Sequence, residues 1–237
     1  MTLRPVLTAT ALAASTLTLL PACSSETPSN QTAAAPAKST EAPRLDAPTG
    51  SYRLDPTHAS LHFTVKHLGL APYMMRFTDF EAELVVADPV SDSSIELDID
   101  PTSIRTDYPG DYKATHKKSP FDSWDQDLAM SSKFLDAGNH PELGFESTTI
   151  SLSGPNELSV DGELTMRGQT HPVSLKVKLT GMVEEHPFAG VPAVGFDAHG
   201  EFQRSEFGMT HLTQPEIVSD MVHVHFLGEF HQTAAAD

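Results

Sequence analysis

The chain has 237 residues and a formal charge of −17, with 15 lysines and arginines against 32 carboxylates. That balance argues against a nucleic-acid partner, whose phosphates would repel it, and against electrostatic docking on anionic lipid headgroups. A hydrophobic content of 39% suits a soluble globular protein with a polar tail, and a single cysteine excludes any intramolecular disulfide.

Residues 1–22 read as an export signal. Arg4 supplies the positive start, and Val6 to Leu20 is an apolar run too short to span a bilayer comfortably. The run ends Leu20-Pro21-Ala22-Cys23, which resembles a bacterial lipobox. The resemblance implies lipidation of Cys23, anchoring to a membrane and, with Ser24 next, sorting to the outer membrane of the periplasm. Acyl chains at roughly 0.8 kcal/mol per buried methylene make such an anchor long-lived. Residues 23–49 are rich in Ser, Thr, Ala and Pro and carry few large apolar side chains, so they read as a flexible tether.

The folded part is expected over residues 50–232, with a disordered tail at 233–237. It opens with Gly50 to Leu54, followed by Leu61, Phe63 and Val65 in phase. A longer strand is expected over 77–86, with Phe80, Ala82, Leu84 and Val86 on one face, then another over 94–100 with Ile95, Leu97 and Ile99. Alternation of this kind places one face in a dry interior and the other in water. Residues 105–141 break the pattern. Trp124, Leu128, Phe134 and Leu135 are spaced nearer to a helical period, predicting a short helix inside a long excursion that could border a cavity mouth.

Strands resume over 142–150 and in a hairpin over 157–182. In its first arm Val160, Gly162, Leu164 and Met166 alternate with polar residues, and in its second Val173, Leu175, Val177 and Leu179 do the same. Arg167-Gly168-Gln169-Thr170 supplies the reversal between them. Two more strands are expected over 194–204 (Val194, Phe196, Ala198, Gly200, Phe202) and 222–230 (Val222, Val224, Phe226, Phe230). Short alternating strands with one helical insert mean an all-β domain, either a sandwich or a closed antiparallel barrel.

Four segments, in order across residues 50–232, carry a specific resemblance. They are His58-Ala-Ser-Leu-His-Phe with Lys66-His-Leu-Gly and Arg76-Phe-Thr-Asp-Phe; Phe134-Leu-Asp with Phe145-Glu-Ser-Thr148; Leu164-Thr-Met-Arg-Gly-Gln-Thr-His-Pro-Val173; and Gly195-Phe-Asp-Ala with Arg204-Ser-Glu-Phe-Gly-Met209. Together they are similar to the YceI-like family of exported proteins. The resemblance implies a lipocalin-like antiparallel β-barrel holding a long polyisoprenoid lipid, of quinone or polyprenyl type, without catalysis. The family's charged segment before Phe-Leu-Asp is replaced here by Trp124-Asp-Gln-Asp-Leu128, and the loop from Tyr108 to Phe121 is extended.

An apolar cavity needs no precise polar constellation to hold such a chain. An isoprene unit buries on the order of 3–4 kcal/mol, as an upper bound. The in-phase candidates for its lining are Phe63, Phe80, Leu84, Phe145, Leu164, Val177, Phe196, Phe202 and Phe226. No cofactor is expected, and the pattern leaves a homodimer open. The 12 histidines raise a metal reading, since His223 and His225 share a strand face and His199 could neighbour them. The dry-face residues Val222, Val224 and Phe226 put those histidines on the wet side, so they read as a solvated polar face. No hydrolase elbow, phosphate loop or His-Glu-x-x-His motif occurs, so the expectation is a binding protein. A metal-binding or purely structural, stress-protective barrel without lipid is the alternative.

Overall fold

A computed structural model describes residues 44–235. The expected signal peptide, Cys23, most of the tether, and residues 236–237 lie outside the described residues. The strands are β1 (Gly50–His67), β2 (Ala71–Phe77), β3 (Phe80–Val86), β4 (Ser94–Ile99), β5 (Ile104–Arg105), β6 (Leu143–Gly154), β7 (Glu157–Met166), β8 (Gln169–Val183), β9 (Ala193–Gln203) and β10 (Met221–Ala235). Two short helices, α1 (Tyr112–Thr115) and α2 (Trp124–Met130), lie between β5 and β6.

Pairing settles the choice that alternation left open. The antiparallel order β10-β9-β8-β7-β6-β4-β3-β1 closes on itself, because β1 also pairs with β10. The result is a closed eight-stranded barrel. Closure leaves those strands without a free edge, and eight strands enclose a space just wide enough for side chains or one small ligand.

β1 makes this possible by being longer than its sequence pattern suggests. It runs unbroken from Gly50 through the Asp55-Pro56 segment to His67, with a register shift between Leu54 and Ala59. Its first residues pair with β3 and its last seven with β2. The strand expected over 77–86 is therefore two strands, β2 and β3, broken at Thr78-Asp79. Thr78 bonds instead to Ser103, with N–H to O at 3.2 Å and Oγ1 to O at 3.0 Å. The final strand also continues past 230: Ser51 pairs with Ala234, and Thr233 Oγ1 donates to Ser51 O at 3.1 Å. β10 thus includes Thr233–Ala235, part of the stretch 233–237 that the sequence assigned to a disordered tail.

The β7–β8 hairpin follows its alternation closely. Leu158, Val160, Leu164, Met166, Val173 and Leu179 are buried. The turn is the two-residue Arg167-Gly168, both at positive φ (+54° and +68°), joining Met166 to its partner Gln169. A two-residue turn of that hand matches the twist of the paired strands. Gly162 serves closeness of approach: a Cβ there would lie 2.3 Å from Phe145 Cζ and 2.4 Å from Glu146 O.

The excursion differs from expectation in detail. α2 stops at Met130, before Phe134 and Leu135, which follow in turns. Ser123 caps it by accepting from Gln126 N–H at 3.1 Å, while Gln126 Oε1 accepts from Asp122 N–H at 2.7 Å. Asp125 ties the helix to the end of β5 by accepting from Thr106 N–H at 2.9 Å and Thr106 Oγ1 at 2.7 Å.

Candidate ligand cavity

The barrel is hollow. Several inward positions near mid-barrel (Phe63, Leu97, Leu175, Val177, Phe202 and Phe226) are only half-buried although they face inward, because they line a cavity of about 850 Å³. That volume lies within the range of small-molecule sites. Eight of the nine side chains named from strand phase face it: Phe63, Leu84, Phe145, Leu164, Val177, Phe196, Phe202 and Phe226. Phe80 does not. It follows the β2–β3 break and packs edge-on against Phe226, with ring centroids 6.3 Å apart, so Phe226 takes the lining position. In-phase Ile95, Leu97, Ile99, Leu175 and Val224 complete much of the wall.

The two ends of the cavity differ. One is mostly hydrocarbon, shaped by Leu45, Val86, Val90 and Ile150 with Ser93 beside them. The incoming chain is fastened across this end by Asp46 N–H donating to Asn156 Oδ1 at 2.9 Å and by Tyr52 Oη donating to Pro48 O at 2.7 Å. The other end carries His67, Tyr73, Tyr108, His116, Trp124 and Arg204. Tyr73 and Tyr108 are 37% and 39% exposed while lining the cavity, so the interior meets solvent there. Beside them the β1–β2 turn presents Leu68 and Leu70, and β2 presents Met74, exposed by 52%, 83% and 60%. The turn is pinned rather than loose: Leu68 N–H donates to Ile217 O at 2.8 Å, and Ser219 N–H to Lys66 O at 2.9 Å.

Two clusters shape this mouth, and neither was legible as a site. In the excursion, Tyr112 stacks on His116 with centroids 4.5 Å apart, and Trp124 meets both rings edge-on. The Tyr112 hydroxyl donates to Asp127 at 2.5 Å, and burial, then this bond, raises its pKa. Opposite, buried Arg204 donates to three backbone carbonyls: Ser219 at 2.9 Å, Met209 at 2.9 Å and Val218 at 3.0 Å. It holds the 204–220 connection in place, and that connection contributes Met209, Leu212, Ile217 and Val218 to the lining. Arg167, at the β7–β8 turn, donates to the carbonyls of Ser132 (3.0 Å) and Phe134, and so fastens the excursion to the barrel. The available signals were the break in alternation, the helical spacing that begins at Trp124, and the family-like segment that begins at Arg204.

The YceI-like domain matches residues 52–230, which is the closed barrel and its mouth. The chain belongs to the YceI-like family. A relative in Yersinia pestis (strain Pestoides F), named UPF0312 protein, is 32% identical over 168 residues, covering 69% of this chain and 78% of the relative. Among solved structures, Burkholderia cenocepacia BcnA is similar with a TM-score of 0.59 at 21% identity, over 74% of this chain and 98% of BcnA. A polyisoprenoid binding domain from Saccharophagus degradans, implicated in plant cell wall breakdown, is similar with a TM-score of 0.50 at 13% identity, over 76% and 98%. At these identities the structural likeness concerns the fold, and this YceI-like chain shares the barrel.

Proposed function

We propose that this protein is an exported lipoprotein whose barrel sequesters or carries a long polyisoprenoid lipid, of quinone or polyprenyl type, without chemical turnover. The observation that carries the reading is a hydrocarbon-lined cavity of about 850 Å³ that reaches solvent at one aromatic, partly polar end. A chain entering tail first would meet mostly carbon along the barrel and leave its headgroup near Tyr108, His116 and Trp124. At about 0.8 kcal/mol per buried methylene, a few isoprene units outweigh the ordering cost of binding. The fold neighbour named for polyisoprenoid binding supports the same class of ligand.

A binding role without turnover fits the placement of the polar groups. Ser93 lines the cavity and accepts from Ala87 N–H at 2.9 Å, whereas His67 and His116 line the opposite end. The exposed Leu68, Leu70 and Met74 give the lipid an apolar step between a membrane and the cavity. Lipidation of Cys23, with the periplasmic face of the outer membrane as its location, would keep the mouth within reach of its source.

The test is native mass spectrometry of the exported chain carrying Cys23→Ser, purified without detergent. A co-purifying mass that varies in isoprene steps, or stoichiometric uptake of an added long-chain quinone, is the expected result. An empty protein that takes up neither quinone nor polyprenyl phosphate would overturn the proposal.

A further inference from the structure

The outer face of β1, β10 and β9 opposes the cavity wall and has a chemistry of its own. Strand register sets His62, His225 and His199 side by side in one rung across these three strands. Asp197 lies two residues before His199, on the same face. Its Oδ1 is 2.9 Å from His199 Nε2 and 3.0 Å from His225 Nε2. The two imidazoles stack with centroids 4.1 Å apart and planes 14° from parallel. The three donor atoms all lie within 4.8 Å of one another.

We infer that Asp197, His199 and His225 form a binding site for a divalent transition cation of the zinc class on the outside of the barrel. Zinc takes nitrogen and carboxylate ligands at about 2.0–2.2 Å, which puts neighbouring ligands about 3.4 Å apart in a tetrahedron. The two closest separations, 2.9 and 3.0 Å, need to open by only a few tenths of an ångström. Two imidazoles and one carboxylate form a borderline donor set suited to zinc or copper rather than to calcium or magnesium. Loading requires each ring to present an unprotonated Nε2, so a proton now facing Asp197 moves to the solvent-side Nδ1. The rings must also turn out of their stack. With side chains 59% and 38% exposed, they have room to do so. Water takes the fourth position.

The register accounts for the precision of the set. His199 and His225 are direct cross-strand partners on rigid, fully paired strands, and Asp197 is diagonal to His225. Such a scaffold holds ligands better than a loop would. Lys178 and Lys176 stand opposite Asp197 and His199 on β8, yet among the described residues neither is ion-paired to Asp197. The chain's formal charge of −17 favours cations over the whole surface. This site lies across the wall from the cavity and does not depend on the lipid reading.

A second histidine–carboxylate cluster gives the internal control. His231 Nε2 meets Glu229 Oε1 at 2.7 Å, and His186 Nε2 lies 3.4 Å from the same oxygen. His186 Nδ1, however, accepts from Ala189 N–H at 3.1 Å, which keeps the ring proton on Nε2 and makes this ring a donor to Glu229 rather than a ligand.

The experiment titrates the exported Cys23→Ser chain with zinc chloride by calorimetry, then with cobalt chloride to read tetrahedral absorption bands. The expected result is one tight site, weakened at least about tenfold by His199→Ala, His225→Ala or Asp197→Asn and unaffected by His231→Ala. These positions are on the solvent face, and an unchanged unfolding midpoint of the metal-free variants would confirm folding. Absence of uptake by the parent chain would overturn the proposal, as would uptake that survives His199→Ala with His225→Ala or is abolished by His231→Ala.

Discussion

The β7–β8 wall and the mouth of the barrel are built by different rules. Each wall strand pairs on both sides, so every second residue faces the interior and the next faces water. At the mouth, β2 pairs with β1 on one side and with only two residues of β5 on the other. The excursion carrying α1 and α2 and the 204–220 connection occupy what more strand would otherwise fill. Their position is maintained by side chains: Arg204 on three carbonyls, Arg167 on two, and Asp125 on Thr106. The comparison teaches that the interior is made by backbone periodicity and its opening by a few polar fastenings.

Breaking a fastening should have the largest effect. Arg204→Ala leaves two buried carbonyls and one part-buried carbonyl without their guanidinium partner and should cost about 3–5 kcal/mol in chemical denaturation. Arg204→Lys should recover only part of this, since one ammonium cannot reproduce the guanidinium fork. The wall should respond differently. Val177→Trp places bulk in the hollow, so isoprenoid affinity should fall at least about tenfold while stability changes by under about 1.5 kcal/mol. A comparable loss of stability would mean that the wall is already fully packed.

At the rim, Leu70→Asp should leave stability within about 0.5 kcal/mol and affinity for ligand added in solution unchanged. Transfer from vesicles should slow by about tenfold, the equivalent of one leucine no longer buried in lipid. Equal slowing in both assays would place Leu70 in binding rather than transfer.

The smallest effect belongs to the outer face. The hydrogen bond that His58 donates to the Asp55 carboxylate, then that carboxylate's charge, raises the pKa of His58 above 6.5. The same hydrogen bond, followed by that from Thr57, holds Asp55 below 3.8. The His58 contribution to folding is therefore full below pH 6.5 and is lost as pH rises through the raised value. Asp55 contributes above pH 3.8 and loses this as pH falls through its lowered value. His58→Ala should flatten the decline of the urea midpoint as the pH rises from 6.5 through the raised value. A wild-type midpoint that rises over that window would contradict the assignment.

Legibility followed the same division. Phase alone identified the inward faces of β7, β8, β9 and β10, and eight of nine residues named from phase face the cavity. Phe80 was in phase but displaced by Phe226, because phase reports the side of a strand and not which ring stands in front. Tyr108, His116 and Arg204 gave no periodic signal, since they occupy turns and a connection, and the helical spacing at Trp124 predicted a helix without marking its ring as lining. The β1–β3 region was misread for a related reason: alternation does not reveal that one strand changes partners along its length.

By itself the sequence determined an all-β domain, the inward faces of its strands, the tight β7–β8 turn and the presence of a functional-length excursion between β5 and β6. These are local matters, settled by a two-residue period and by the conformational freedom of Gly168. Tertiary structure decided that the sheet closes, that its interior stays hollow, which end opens, and that His199 and His225 converge on Asp197. Each of these depends on pairing between distant segments such as β1 with β10, and that pairing comes from hydrogen bonds between backbones whose chemistry is the same at every residue.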